Sequence, residues 1–302
     1  MTDGIAATRQ PECPYDRTLE SLGNVVELQH VNLRVPDQLK ATQFYISGLG
    51  LTRDPYLMTG VDNMWANAGI SQFHLPTSPR PQRLRGAIGL VLPHRGQLLE
   101  RLARLRGPLD GTLFAFAERE DHVEATCPWG NRFRLHAPDA ARFGRITLGL
   151  PYVEFEVPPG TPPGIARFYR EILGAPAALE EGGAAARVLV AQGQHLVFRE
   201  TDRAQPEFDG HHIQITLADF GGPHARLRER GLVTEESNPW QYRFQDIPDP
   251  DTGRVLFTVE HEVRSMTHPL YARPLVNRDA TISNRNYRPG HEAWAPAMPP
   301  EG

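Results

Sequence analysis

The stretches ATQFYISGLGL (residues 41–51) and IARFYREILGA (residues 165–175) repeat one another. Each sets an aromatic pair, Phe44 and Tyr45 or Phe168 and Tyr169, a few residues ahead of a Leu-Gly stop. Glycine ends such a helix because it enters the left-handed cap conformation at no steric cost. Upstream of each helix runs a short alternating strand, LQHVNLRV (28–35) and LPYVEFEV (150–157), and Pro36 or Pro158 then breaks it. Proline has no amide hydrogen to give to a strand ladder.

A second pair of segments repeats in the same way. RLARLRG (101–107) resembles HARLRERG (224–231), and the strands AIGLVLP (87–93) and HIQITL (212–217) precede them. Strand-like runs follow each helix, and the last two close around the turns in CPWGNRFRL (127–135) and DPDTGRVLF (249–257). The sequence therefore predicts an α+β fold of four tandem βαβββ modules, over 26–77, 84–138, 148–201 and 209–263. Along the chain they form a first pair (26–138) and a second pair (148–263). His30 and Tyr152 lie 122 residues apart and Ala87 and His212 lie 125 apart, the near-constant offset that a duplication leaves. Residues 1–25 and 264–302 fall outside the repeat and read as arms. In the C-terminal arm Leu270, Tyr271, Leu275 and Val276 call for burial, so the arm, leaving from the rim of module four, is expected to cover the cup mouth or to meet a partner in a homo-oligomer.

Composition narrows the function classes. A formal charge of −4 and a pI near 6.3 give no electrostatic reason to expect nucleic acid or an anionic membrane. Two cysteines, Cys13 and Cys127, are too few for a disulfide framework and form no CxxC pair. With no signal-peptide pattern at the N-terminus, the expectation is a cytoplasmic protein. There is no GxSxG elbow, P-loop or GxGxxG after a strand; GLGL at 48–51 is a helix stop.

The module order, His30 inside a first strand, the FY…GLGL helix and the DPDTG turn resemble the vicinal oxygen chelate superfamily, with its glyoxalases, bleomycin-resistance proteins and extradiol dioxygenases. The resemblance spans about residues 26–263 and implies two open β-cups with a metal held by the first and last strands of paired modules. Aligned on their turns, the first-strand positions are His30, Ala87, Tyr152 and His212, and the last-strand positions are His74, Arg134, Val197 and Leu256. Pairing module one with module four gathers His30, His74 and His212 in one cup and leaves Ala87, Arg134, Tyr152 and Val197 in a cup that cannot bind metal. That pairing resembles single-chain hydroquinone-cleaving members of the family.

The resemblance implies a metal-dependent enzyme, an extradiol-like dioxygenase acting on a small substrate with adjacent oxygens. Fe(II) is the first choice of divalent metal, with Mn, Zn or Ni as alternatives. His30, His212 and Glu260 are the expected ligands, and His74 is a fourth ligand or an acid/base group. The family's carboxylate position falls on Thr258, and strand alternation sets Leu256, Thr258, Glu260 and Glu262 on one face. Trp65 and Asn67 on one strand, and Tyr242 and Gln245 on its module-four counterpart, are candidates for the substrate wall. His211 points away from the cup, and His122, His195 and His261 are expected at the surface. Two other readings stand beside this one: a glyoxalase-like isomerase or lyase, and a non-catalytic binding or scaffold protein, which Leu256 at a ligand position favours.

Overall fold

The computed structural model describes residues 15–57 and 62–277, so most of both arms lies outside the described residues. Module one runs through β1 (Val25–Asn32), α1 (Gln38–Ala41, continued as a π-helix over Thr42–Gly48), β2 (Thr52–Arg53), β3 (Asn63–Ala68) and β4 (Ser71–Pro76). Module two contains β5 (Gly86–Val91), α2 (Arg95–Arg104), β6 (Ala115–Glu118), β7 (Val123–Thr126) and β8 (Arg132–His136). A short α3 (Ala140–Phe143) leads to module three, with β9 (Gly149–Val157), α4 (Pro162–Phe168, continued as a π-helix over Tyr169–Leu173), β10 (Ala177–Glu180), β11 (Ala185–Ala191) and β12 (Gln194–Glu200). Module four holds β13 (His212–Leu217), α5 (Gly221–Glu229), β14 (Val233–Asn238), β15 (Gln241–Pro248) and β16 (Val255–Ser265). Among the described residues no helix is long and apolar enough to cross a membrane.

The strands form two open eight-stranded sheets. The first, in the order β14-β15-β16-β13-β1-β4-β3-β2, joins module four to module one across the antiparallel pair β1 and β13. The second, β10-β11-β12-β9-β5-β8-β7-β6, joins module three to module two across β9 and β5. Module one therefore lies in a different sheet from module two, and module three in a different sheet from module four, while modules two and three share a sheet.

Alternation explains which face is which. Val31, Leu33, Phe73, Ile213 and Ile215 point into the apolar core, while His30, Asn32, His74, His212 and Gln214 point into the cup of the first sheet. The repeated aromatic pairs are core residues: Phe44, Tyr45, Phe168 and Tyr169 are all fully buried. Phe168 and Tyr169 straddle the passage from α- to π-helix, and Phe44 and Tyr45 lie inside the π-helical stretch, a widened turn that shifts the side chains around the helix. Tyr169 also corrects one expectation. Its hydroxyl lies 2.6 Å from Nε2 of His261, whose Nδ1 reaches the Val259 carbonyl at 2.9 Å. His261 is thus fully buried and stacked on Phe244, not at the surface. A ring proton on Nδ1 leaves Nε2 to accept from the tyrosine.

Candidate metal centre

Register brings the three cup histidines together. Asn32 on β1 pairs with His212 of antiparallel β13 on one side and with His74 of parallel β4 on the other. His30 lies two residues back on the same face of β1. A bulge between Leu28 and His30 interrupts the β1–β13 ladder, so Gln29 and His30 both turn to the cup. One ring nitrogen from each of His30, His74 and His212 lies within 4.8 Å of the other two. The Nε2 atoms of His30 and His212 are 3.4 Å apart. Two nitrogens bound to one tetrahedral ion at about 2.0–2.1 Å sit about 3.3–3.4 Å apart, so this pair has the separation of co-ligands.

Each imidazole has a partner on its other nitrogen. Nδ1 of His30 bonds to Oε1 of Gln29, and Nδ1 of His212 faces Oε1 of Glu260 at 3.3 Å. Nε2 of His74 meets Oδ1 of Asn63 at 2.7 Å, and Trp65 stacks on the ring at 3.8 Å with its edge toward His30. Carboxylate and amide oxygens only accept hydrogen bonds, so the ring protons sit on these outer nitrogens. Nε2 of His30 is then a bare lone pair, and it faces Nε2 of His212, which also has Glu262 Oε2 at 3.5 Å. Burial pushes His30 well below the usual imidazole range, and Arg264, His212, His74 and Arg243 push it further. Burial also lowers His74, to about 3. His30 and His74 are therefore neutral at physiological pH, the state a metal ligand needs. Outer hydrogen bonds of this kind orient ligating histidines. The donor set therefore fits a divalent ion.

Glu260 lies beside the three-histidine cluster. It lines up with His212 across β13 and β16, and it faces the outer nitrogen of that ring. Its other oxygen accepts from Gln245 Nε2 at 3.1 Å, and Arg243 pairs with it. Burial alone would raise its carboxyl, yet His212, Arg243 and Gln245 hold it down at about 2. The carboxylate nearer the apex is Glu262, with Oε2 at 3.5 Å from His212 Nε2. Both of its oxygens carry a guanidinium, Arg243 and Arg264, each at 2.5 Å.

The four expected wall residues divide. Trp65 lies against His74 and His30, and Gln245 reaches the cup through Glu260. Asn67 binds Val276 of the segment after β16, at 2.8 Å from its carbonyl oxygen. Tyr242 is on the opposite face of β15, packed on Phe220 and His224 beneath α5. It is three residues from Gln245, so regular alternation already separates the two. Leu256 leaves the list as well. Two register shifts interrupt the pairing of β15 with β16, and Leu256 packs over Gly164 of α4, where a Cβ would come within 2.5 Å of it. The residues that sequence reading passed over are Gln29, Asn63, Arg243 and Arg264. Arg243 was signalled by its parity with Gln245, a charged side chain alternating into a buried strand.

The second cup carries the opposite charge pattern. In its matching register Glu154 stands where Asn32 does, opposite Ala87 and Val197. Arg134 at 2.9 Å and Arg199 at 3.2 Å clasp Glu154, while Arg132 and Arg203 clasp Glu156 at 2.7 and 3.1 Å. Tyr152 pairs with His136 at 2.9 Å. Arginines thus replace the glutamates of the metal cup's last strand, and the ion pairs close this cup on itself.

No family model and no curated protein matches the sequence. Solved structures do. A protein of Bacillus subtilis provisionally named a dioxygenase is 15% identical, with a TM-score of 0.54, over 81% of this chain and 86% of that one. Glyoxalase I of Zea mays is 13% identical, with a TM-score of 0.53, over 80% of this chain and 93% of that one. At these identities the likeness speaks for the fold, and fold is shared by unrelated chemistries. Two open cups built from four βαβββ modules, matched along most of their length by these structures, give this chain the vicinal oxygen chelate fold.

Proposed function

We propose that His30, His74 and His212 hold one divalent metal ion, and that the chain is a metal-dependent enzyme of extradiol-dioxygenase type acting on a small substrate with two adjacent oxygens. The observation that carries this reading is the pair of Nε2 atoms of His30 and His212, 3.4 Å apart in a buried cup with a third imidazole beside them. With both rings protonated on the outer nitrogen, lone pairs so placed repel one another, and a cation between them removes that repulsion. Fe(II) is the metal this reading names. When bound, such an ion supplies a Lewis acid and a template for the two substrate oxygens.

The chain's own residues set the rest of the chemistry. Three neutral imidazoles leave an ion's charge uncompensated, and Glu260 and Glu262 are already engaged by Arg243. The site therefore favours a substrate that brings anionic oxygens of its own. Trp65 covers the His74 side and keeps water from that ring. A glyoxalase-like isomerase is the second reading, favoured by Glu262 at 3.5 Å from His212 Nε2 as a carboxylate base. It ranks lower because Arg243 and Arg264 occupy both oxygens of that group. The scaffold reading loses its support with Leu256, which is a core residue. The reading also takes the protein as cytoplasmic.

The test is oxygen uptake after anaerobic loading with Fe(II), across a panel of catechols and hydroquinones. Stoichiometric uptake with ring-opened product, absent in His30→Ala, is the expected result. Iron bound with no uptake on any member of the panel would overturn the dioxygenase reading, and hemithioacetal isomerisation by the same sample would favour the second.

A further inference from the structure

The segment after β16 runs back across the first sheet to module one. There Asn277 bridges Gly69 in both directions, at 2.9 and 2.8 Å, and the Val276 carbonyl accepts from Asn67. Arg273, on the same segment, reaches inward to Asp54, which is fully buried. Oδ1 of Asp54 accepts from the backbone amides of Tyr56 and Leu57, at 2.8 and 2.9 Å. Oδ2 accepts from Arg273 Nη2 at 2.5 Å and from Gln72 Nε2 at 2.9 Å.

From that carboxylate a chain of amides leads to the candidate metal centre. The second hydrogen of Gln72 Nε2 goes to Asn67 Oδ1 at 2.6 Å, so the Gln72 oxygen must face the other way. There it accepts from Gln29 Nε2 at 2.8 Å, and the Gln29 oxygen in turn faces Nδ1 of His30. Every direction in this chain is fixed by chemistry. Arginine can only donate and a carboxylate can only accept, so neither Gln72 nor Gln29 can flip without setting oxygen against oxygen. The last member of the chain must donate, and Nδ1 of His30 does.

We infer that Arg273 is a positioning residue: its guanidinium keeps the fully buried Asp54 ionised and so an acceptor only, and through Gln72 and Gln29 this holds His30 in the tautomer with its proton on Nδ1. Nε2 of His30 is thereby kept bare toward His212. The C-terminal segment is then part of the centre's construction, although it contributes no ligand. The functional consequence rests on the reading of His30 as a metal ligand; the tautomer itself does not.

Two measurements on the full chain separate these claims: 15N spectra of the imidazole nitrogens in metal-free protein, and Zn(II) affinity by competition with a chromophoric chelator. Wild type should show His30 protonated at Nδ1 alone. Arg273→Ala should show mixed tautomers at His30 and bind Zn(II) roughly 10–100-fold more weakly, the usual cost of losing a partner behind a ligating histidine. Arg273→Lys, which keeps a cationic donor, should restore most of both. Gln72→Met cuts the chain with Arg273 in place and should scramble the tautomer in the same way; it answers the question if Arg273→Ala does not fold. A single Nδ1–H tautomer in both cut variants would overturn the inference. Wild type that binds no Zn(II), with the tautomer still shifting in the variants, would overturn the metal reading alone.

Discussion

Replacing Glu260 by glutamine separates a metal ligand from a group that orients one. Oε1 of Glu260 faces His212 Nδ1 at 3.3 Å, on the far side of the ring from His30. The amide keeps an oxygen for that N–H but loses the negative charge. A hydrogen bond to a charged group contributes about 1.5–3 kcal/mol and a neutral one about 0.5–1.5 kcal/mol, so the change costs about 1–2 kcal/mol. At 1.4 kcal/mol per decade this is a roughly 5–30-fold loss of affinity. Zn(II) competition titrations of wild type, Glu260→Gln and His212→Ala measure it. The intermediate loss is expected for Glu260→Gln and a far larger one for His212→Ala. Wild-type affinity in Glu260→Gln would refute the orienting role, and a loss equal to that of His212→Ala would make Glu260 a direct ligand.

Three further outcomes follow from the packing. Leu256→Ala should cost about 2–5 kcal/mol in urea unfolding and leave Zn(II) affinity unchanged, because the residue fills core beside Gly164. Tyr169→Phe should cost about 1–3 kcal/mol, since it strips the donor from the buried Nε2 of His261. Glu154→Gln should cost about 1–3 kcal/mol at pH 7, discounted from a fully buried pair because Arg134 and Arg199 remain a third exposed. Burial would raise the Glu154 carboxyl, but Arg134 and Arg199 outweigh it and hold it below the usual range. Its contribution is therefore present above the unfolded value near 4.3 and lost as pH falls through the lower folded one, so the gap between wild type and variant should narrow from pH 5 downward.

Much of the architecture was legible because similar segments and period-2 alternation are written directly into the chain. The FY…LG helices and paired strands gave the module order, and the uneven distribution of His30, His74 and His212 pointed to the sharing of a sheet by modules one and four. What alternation cannot register is a bulge. The one at Gln29–His30 turns both side chains to the cup, and the shifts along β16 send Leu256 into the core. Tyr242 was a matter of parity that the strand itself disclosed. Arg243, Asp54 and Arg273 were hidden for another reason. They act through partners 17 to 219 residues away, and no local pattern records such distances.

The central claim is that three imidazoles form one metal centre, and X-ray absorption on protein loaded with a single equivalent of Zn(II) tests it most directly. The account predicts one tightly held ion per chain with three imidazole nitrogens at about 2.0–2.1 Å, falling to two in His74→Ala. An ion bound mainly by oxygen, or a wild-type spectrum that His74→Ala leaves unchanged, would contradict it.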